Sequence, residues 1–167
     1  MKKIRLIPLL AALFMLLPAF VSCDKDDDKD DPAVADAILG TYSGSLGYTV
    51  MGYEPGDIEG EYELKIMTDP ADADDVRVVI PQCSFTPPIP QASVFTIPSL
   101  TVDGVDVAEK GGVYTLSEDD FAIKVGEVTY TGKLSGTVTG KAIKVEYVVR
   151  PGRMPMDINF TFTGTLK

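Results

Sequence analysis

From Gly40 onward the chain alternates apolar and polar positions, and helical periodicity is nowhere sustained. Between Gly40 and Val50 the even positions are Gly40, Tyr42, Gly44, Leu46, Tyr48 and Val50, and the odd ones are Thr, Ser, Ser, Gly and Thr. A period of two predicts a long, half-buried β-strand. The same pattern runs through 61–66 and through Val76, Val78 and Ile80, where Pro81 ends it, and the acidic stretch 69–75 predicts a turn between these two strands. Pro81, Pro87, Pro88, Pro90 and Pro98 then follow within a short span. Proline cannot donate to a ladder, so 81–92 is expected as a loop. Short edge strands are expected near 93–97 and 100–107, with Asp103-Gly104 as a turn. Gly111-Gly112 opens a strand over 113–116, and Ser117 to Asp120 is expected to turn the chain into 121–125.

The last third is the most regular. Val128, Tyr130, Leu134 and Val138 share one face with Gly132 and Gly136 between them, Thr139-Gly140-Lys141 turns the chain, and Ile143, Val145, Tyr147 and Val149 return. The loop from Arg150 to Pro155 leads into Ile158, Phe160, Phe162, Gly164 and Leu166. About eight to ten strands in simple succession predict an antiparallel meander, and closure into a barrel removes its unpaired edges. Alternation alone leaves open which face is inside, because an outer-membrane barrel alternates too, with its apolar face toward lipid. The strands expected here mostly fall short of the roughly ten residues such a span needs, and there is no tryptophan for an interfacial girdle. The expected fold is therefore all-β, with the apolar face of the barrel inside and water outside.

Ahead of the barrel stand two segments of different character. Residues 1–22 read as an export signal: Lys2, Lys3 and Arg5 precede the apolar run 6–17, and Ser22 stands directly before Cys23. The apolar run is about a dozen residues, short of the roughly 20 that cross a bilayer. A signal ending on cysteine resembles the lipobox of bacterial lipoproteins, which implies that Cys23 is acylated and becomes the mature N-terminus. The alternative is an ordinary secretory signal followed by an incidental cysteine. Residues 23–36 read as a disordered tether, since 24–31 hold six Asp and two Lys and cannot bury apolar surface. This acidic run resembles the export signal of some Gram-negative surface lipoproteins, which implies an outer-membrane address and display at the cell surface. A solvated spacer without sorting information is the alternative.

The whole chain carries 25 acidic and 15 basic residues. Loss of the three basic residues of the signal leaves a net charge of −13, so nucleic acid is not an expected partner and the acyl chains are the expected membrane attachment. With Cys23 acylated, Cys83 stands alone and no intramolecular disulfide forms. The chain has no histidine to activate that thiol, so Cys83 is expected to be packed and inert.

Residues 38–46 open the folded part with Gly40-x-Tyr42-x-Gly44-x-Leu46, and 130–164 combine Tyr-Thr-Gly-Lys-Leu-Ser-Gly-Thr-Val-Thr-Gly-Lys with Arg150-Pro-Gly-Arg-Met-Pro-Met and Asn159-Phe-Thr-Phe-Thr-Gly164. These glycine- and turn-based motifs resemble the calycin-like β-barrel domain of bacterial lipoproteins. The resemblance covers residues 37–167 and implies a lipocalin-type, up-and-down barrel of about eight strands.

Function is less legible. There is no histidine and no G-x-S-x-G, and Glu61, Glu63, Glu146 and Asp157 fall on polar strand faces, so an enzyme is not expected and no catalytic residue or cofactor is assigned. Asp69, Asp72, Asp74 and Asp75 lack the glycine turn and closing glutamate of a calcium loop, so a solvated acidic turn is expected rather than a metal site. Two uses of the barrel remain. Eight strands are just wide enough to hold one small apolar ligand, and Tyr42, Tyr48, Tyr62, Tyr130, Tyr147, Phe160 and Phe162 are the candidate lining, with tyrosine hydroxyls as polar handles. Plain core is the competing role for each. Alternatively, a solid barrel presents rim loops to a protein or glycan partner, the candidates being 81–92 and 150–156 with Arg150 and Arg153. Those arginines either grip an anionic group or pair with neighbouring carboxylates.

Overall fold

The computed structural model describes residues 34–53, 55–88 and 90–167; the expected signal, Cys23 and the tether up to residue 33 lie outside the described residues. A single turn of 3-10 helix, Val34–Ile38, leads into ten strands: β1 (Gly40–Val50), β2 (Gly56–Thr68), β3 (Val76–Ile80), β4 (Cys83–Phe85), β5 (Phe95–Ile97), β6 (Leu100–Lys110), β7 (Val113–Val125), β8 (Val128–Thr139), β9 (Ala142–Pro151) and β10 (Ile158–Leu166). Eight of them close an antiparallel barrel in the order β1, β2, β3, β6, β7, β8, β9, β10, with β10 returning to β1, while β4 and β5 pair only with each other. The barrel is an up-and-down meander interrupted once, by the β4–β5 hairpin.

The alternating apolar positions point inward. Tyr42, Leu46, Leu64, Ile66, Val145, Tyr147, Phe160 and Phe162 are at most 2% exposed and belong to one continuous core. The outward positions of β8 to β10 include Lys133, Lys144, Glu146 and Asn159, all exposed. Such an outer surface faces water, since a lipid-facing barrel carries an apolar band there. Ion pairs decorate it, Lys167–Glu63 at 2.5 Å and Lys144–Glu146 at 2.6 Å among them. Both are exposed and contribute little to stability.

The two ends differ. At the lower end, where β1 begins, the 3-10 helix buries Ala35 and Ile38, and the hydroxyl of Tyr42 donates to the Ile38 carbonyl at 2.8 Å. Residues 34–36, the last of the expected tether, thus belong to this plug. At the upper end, where β1 stops and β10 begins, the barrel wall is interrupted. β2 pairs with β3 only over Lys65–Thr68, and β7 pairs with β6 only over Val113–Ser117. The space left above β3 and β6 is taken by β4 and β5.

The strands mostly run longer than expected, 10 to 13 residues in β1, β2 and β6 to β9, and two expected turns are bulges instead. Asp103-Gly104 does not end a strand: between Val102 and Val105, β6 carries one residue more than its partner β3, with Gly104 at φ +67°. Ser117–Asp120 likewise stays within β7, which gains one residue over β8 between Glu118 and Phe121. A bulge absorbs an extra residue without ending the ladder, and its local sequence is hard to distinguish from a turn. The expected loop 81–92 contains β4, because Cys83 and Phe85 alternate toward the core even between prolines.

Candidate functional site

The seven aromatic residues proposed from the sequence divide into a lower and an upper group. Tyr42 and Phe162 are fully buried in the lower and middle barrel. Tyr48, Tyr147 and Phe160 lie higher, where Phe160 and Tyr147 stack with centroids 5.0 Å apart. Tyr62 is half-buried and donates its hydroxyl to the Glu59 carbonyl at 3.1 Å. Tyr130 is 8% exposed and sits on β8, near the upper rim.

The inward glycines do not leave room for a guest at their own positions. A Cβ on Gly132 would stand 1.8 Å from the Val148 carbonyl and 2.8 Å from the Phe121 ring, and one on Gly164 would stand 2.9 Å from the Phe162 ring. The rings nest on bare backbone, so these glycines permit close approach.

Sequence reasoning missed Phe85, Phe95, Met154 and Met156. Phe85 lies 4.3 Å from Tyr48, 5.7 Å from Phe160 in an edge-to-face arrangement, and 6.3 Å from Phe95, centroid to centroid. Rings therefore run without a break from the hairpin through Phe160 to Tyr147. The Tyr48 hydroxyl donates to the Thr86 carbonyl at 3.0 Å and ties the hairpin to β1. Where the hairpin meets the loop after β9, Val50, Phe85, Phe95, Met154, Met156 and Ile158 line a wholly apolar crevice of about 20 Å³. Five of the exposed large apolar side chains gather at the same end, Met51, 60% exposed and at φ +53°, with Tyr53, Val94, Val125 and Val128, while Val34 and Met67 lie toward the other. A signal for the hairpin was present in the sequence, since Ile80, Cys83 and Phe85 mirror Leu100, Ile97 and Phe95 about residue 90.

Polar groups inside are few. The Tyr147 hydroxyl is buried and has no hydrogen-bond partner among the described residues. Burial pushes its pKa well above the usual phenol value, with smaller contributions from Cys83 and Tyr62, which share its surroundings. Burial likewise raises the Cys83 thiol to about 11, which leaves little nucleophilic thiolate at neutral pH.

The acidic turn after β2 has a structural use. Asp69, 4% exposed, accepts the Ala71 N–H at 2.8 Å and the Gly104 N–H at 2.6 Å, joining the turn to the β6 bulge. These bonds, from Ala71 first and Gly104 next, hold its carboxyl below the ordinary range. Asp72 accepts the Asp74 N–H at 3.0 Å. Among the described residues no three Cys, Asp or Glu side chains converge into a group able to hold a metal ion. Of the rim arginines, Arg150 pairs with Asp157 at 2.7 Å, while Arg153 is exposed in the following loop. Outer hollows of about 240 to 330 Å³ over β8 to β10 are open and lined by polar side chains such as Lys133, Ser135, Glu146 and Thr161.

No curated protein matches this chain. The crystal structure of a "putative outer membrane protein" from Bacteroides fragilis NCTC 9343 superposes with a TM-score of 0.67 at 22% identity, over 80% of this chain and 53% of that one. This chain thus spans about half the length of that protein, and at such identity the likeness is one of fold. The family model described as calycin-like beta-barrel domain matches residues 38–165, which are the closed barrel and its hairpin. On that match and that topology, the chain belongs to the calycin-like β-barrel domain family.

Proposed function

We propose that this chain is a non-enzymatic lipoprotein of the bacterial cell envelope, anchored through acylated Cys23, whose barrel holds a small apolar ligand at its upper end. The observation that carries this is the asymmetry of the barrel: apolar side chains converge on one end and its crevice, while the 3-10 helix plugs the other. Exposed apolar patches mark ligand or partner sites, and since the crevice holds only about 20 Å³, side chains at this end must move to admit a ligand of ordinary size. The fold neighbour's description as an outer-membrane protein supports an envelope address, and the acidic run after Cys23 supports display on the outer surface. A chain with no histidine and a thiol raised to about 11 offers little for acid–base or nucleophilic catalysis. Native mass spectrometry of protein isolated from its own host tests the ligand: a co-purifying neutral small molecule is expected, and a clean apo mass would refute carriage. Cys23→Ser is expected to move the protein out of the membrane fraction, and unchanged fractionation would refute the anchor.

The close packing of Tyr42, Tyr147, Phe160 and Phe162 favours a second use, a rigid barrel presenting its upper rim to a protein or glycan. The loop with Arg150 and Arg153 would then carry recognition. Under that use, Arg150→Ser with Arg153→Ser abolishes partner capture while the isolated protein carries no small molecule.

A further inference from the structure

The β4–β5 hairpin is the upward continuation of the β3–β6 pair. Ile80 faces Leu100, and the next rungs are Cys83 with Ile97 and Phe85 with Phe95, in one unbroken register. Only the rungs at Pro81, Gln82, Pro98 and Ser99 are missing. Pro81 and Pro98 have no N–H to give, and the Ser99 hydroxyl donates instead to the Ile80 carbonyl at 2.8 Å. One long hairpin is therefore interrupted on both strands at the same height. Above the break it has left the barrel wall, since β4 and β5 pair with no wall strand. What holds it down is the burial of Cys83 and Ile97 in the core, the Phe85 ring between Tyr48 and Phe160, and the bond from Tyr48 to the Thr86 carbonyl.

Beneath this hairpin lies the Tyr147 hydroxyl, on a residue 2% exposed and without a partner among the described residues. Buried hydroxyls are nearly always satisfied, and an orphan calls for an explanation. Tyr147 stacks on Phe160, the same ring that Phe85 meets edge-on. Swinging the hairpin outward would withdraw Phe85 and Cys83 and connect the space they fill to the apolar crevice at the rim. We propose that the β4–β5 hairpin is a lid hinged at Pro81-Gln82 and Pro98-Ser99, and that it covers a site for a neutral apolar molecule carrying one hydrogen-bond acceptor, which the Tyr147 hydroxyl takes. This rests on the apolar-ligand function proposed above and names its site and ligand class.

The neutrality of the ligand follows from the surroundings. The walls are Tyr48, Val50, Tyr147, Ile158 and Phe160, none of them cationic, and Arg150 is held outside by Asp157. A carboxylate would enter an apolar space without a counter-charge, which is strongly disfavoured. A ketone, ester or amide needs only a donor.

Acetophenone and ethylbenzene, nearly equal in shape and differing in the carbonyl, test this by calorimetric titration of the mature chain carrying Cys23→Ser. Acetophenone is expected to bind about 2- to 12-fold tighter, the range for one neutral hydrogen bond. Tyr147→Phe is expected to reverse that preference, taking the ratio below 1 because the buried carbonyl is left without a donor, while leaving ethylbenzene unchanged, an effect that mere packing would not produce. Phe85→Ala, which vacates the covered space, is expected to tighten both probes by about tenfold or more. Phe85→Leu, the milder change, should move them in the same direction and serves if Phe85→Ala does not fold. A ratio that survives Tyr147→Phe, or affinities indifferent to Phe85 in a folded variant, would overturn the lid and its site. If host-isolated protein nonetheless carries a neutral small molecule, ligand carriage stands and the molecule sits elsewhere. Absence of both the native ligand and probe binding refutes the two together.

Discussion

At the scale of single residues, contacts with backbone decide most. Gly132 lies so close to the Val148 carbonyl that a methyl group there must displace a strand. Gly132→Ala is expected to cost about 1–3 kcal/mol, read as a lower urea midpoint, whereas Ala at Gly136, where the nearest atom is 2.9 Å away, should cost less. Asp69 makes a prediction in pH. Its folded pKa is depressed below the ordinary 3.8, first by the Ala71 N–H and then by the Gly104 N–H. Its contribution is therefore fully present above that ordinary value and is lost as pH falls toward the lowered one. Thermal unfolding between pH 7 and pH 2 should show Asp69→Asn destabilised at neutral pH, with the gap to the parent closing in acid. An equal gap at every pH would contradict this origin. The aromatic alternation that fills the barrel was legible in the sequence because inward positions recur every second residue. Asp69 was not, because its partner Gly104 is 35 residues away and nothing local distinguishes it from its acidic neighbours.

At the scale of elements, strands were readable wherever the period of two ran unbroken, as in β1, β9 and β10. It failed at irregularities. The bulges at Gly104 and in Glu118–Phe121 look locally like turns, and the prolines around β4 and β5 mask a hairpin whose apolar positions mirror one another. The same prolines leave that hairpin attached by few bonds, so it should open more readily than the wall. Cys83 on β4 reports such opening, since it is buried, 3% exposed, and raised to about 11 by that burial. In the Cys23→Ser background its labelling by a thiol reagent at pH 8.5 should be slow. Tyr48→Phe, which frees the Thr86 carbonyl, should accelerate labelling about 2- to 12-fold, as expected for loss of one hydrogen bond. A rate unchanged by Tyr48→Phe would show that the hairpin is held by other contacts.

At the scale of the whole molecule, a water-facing cylinder presents two unlike ends. The lower one is closed by the 3-10 helix and by the Tyr42–Ile38 bond; the upper one is closed by a hairpin that has left the wall and is ringed by exposed Met, Tyr and Val. This inequality was not legible in the sequence, because it depends on where β3 and β6 stop pairing with β2 and β7. Fold class, strand succession and polar exterior follow from alternation, whereas the inequality of the two ends follows from topology. Hydrogen–deuterium exchange across the mature chain measures the difference directly. Amides of β4 and β5 are expected to exchange at least about tenfold faster than those of β1, β9 and β10, whose ladders are paired on both sides. Exchange in β4 and β5 as slow as in those strands would contradict the account.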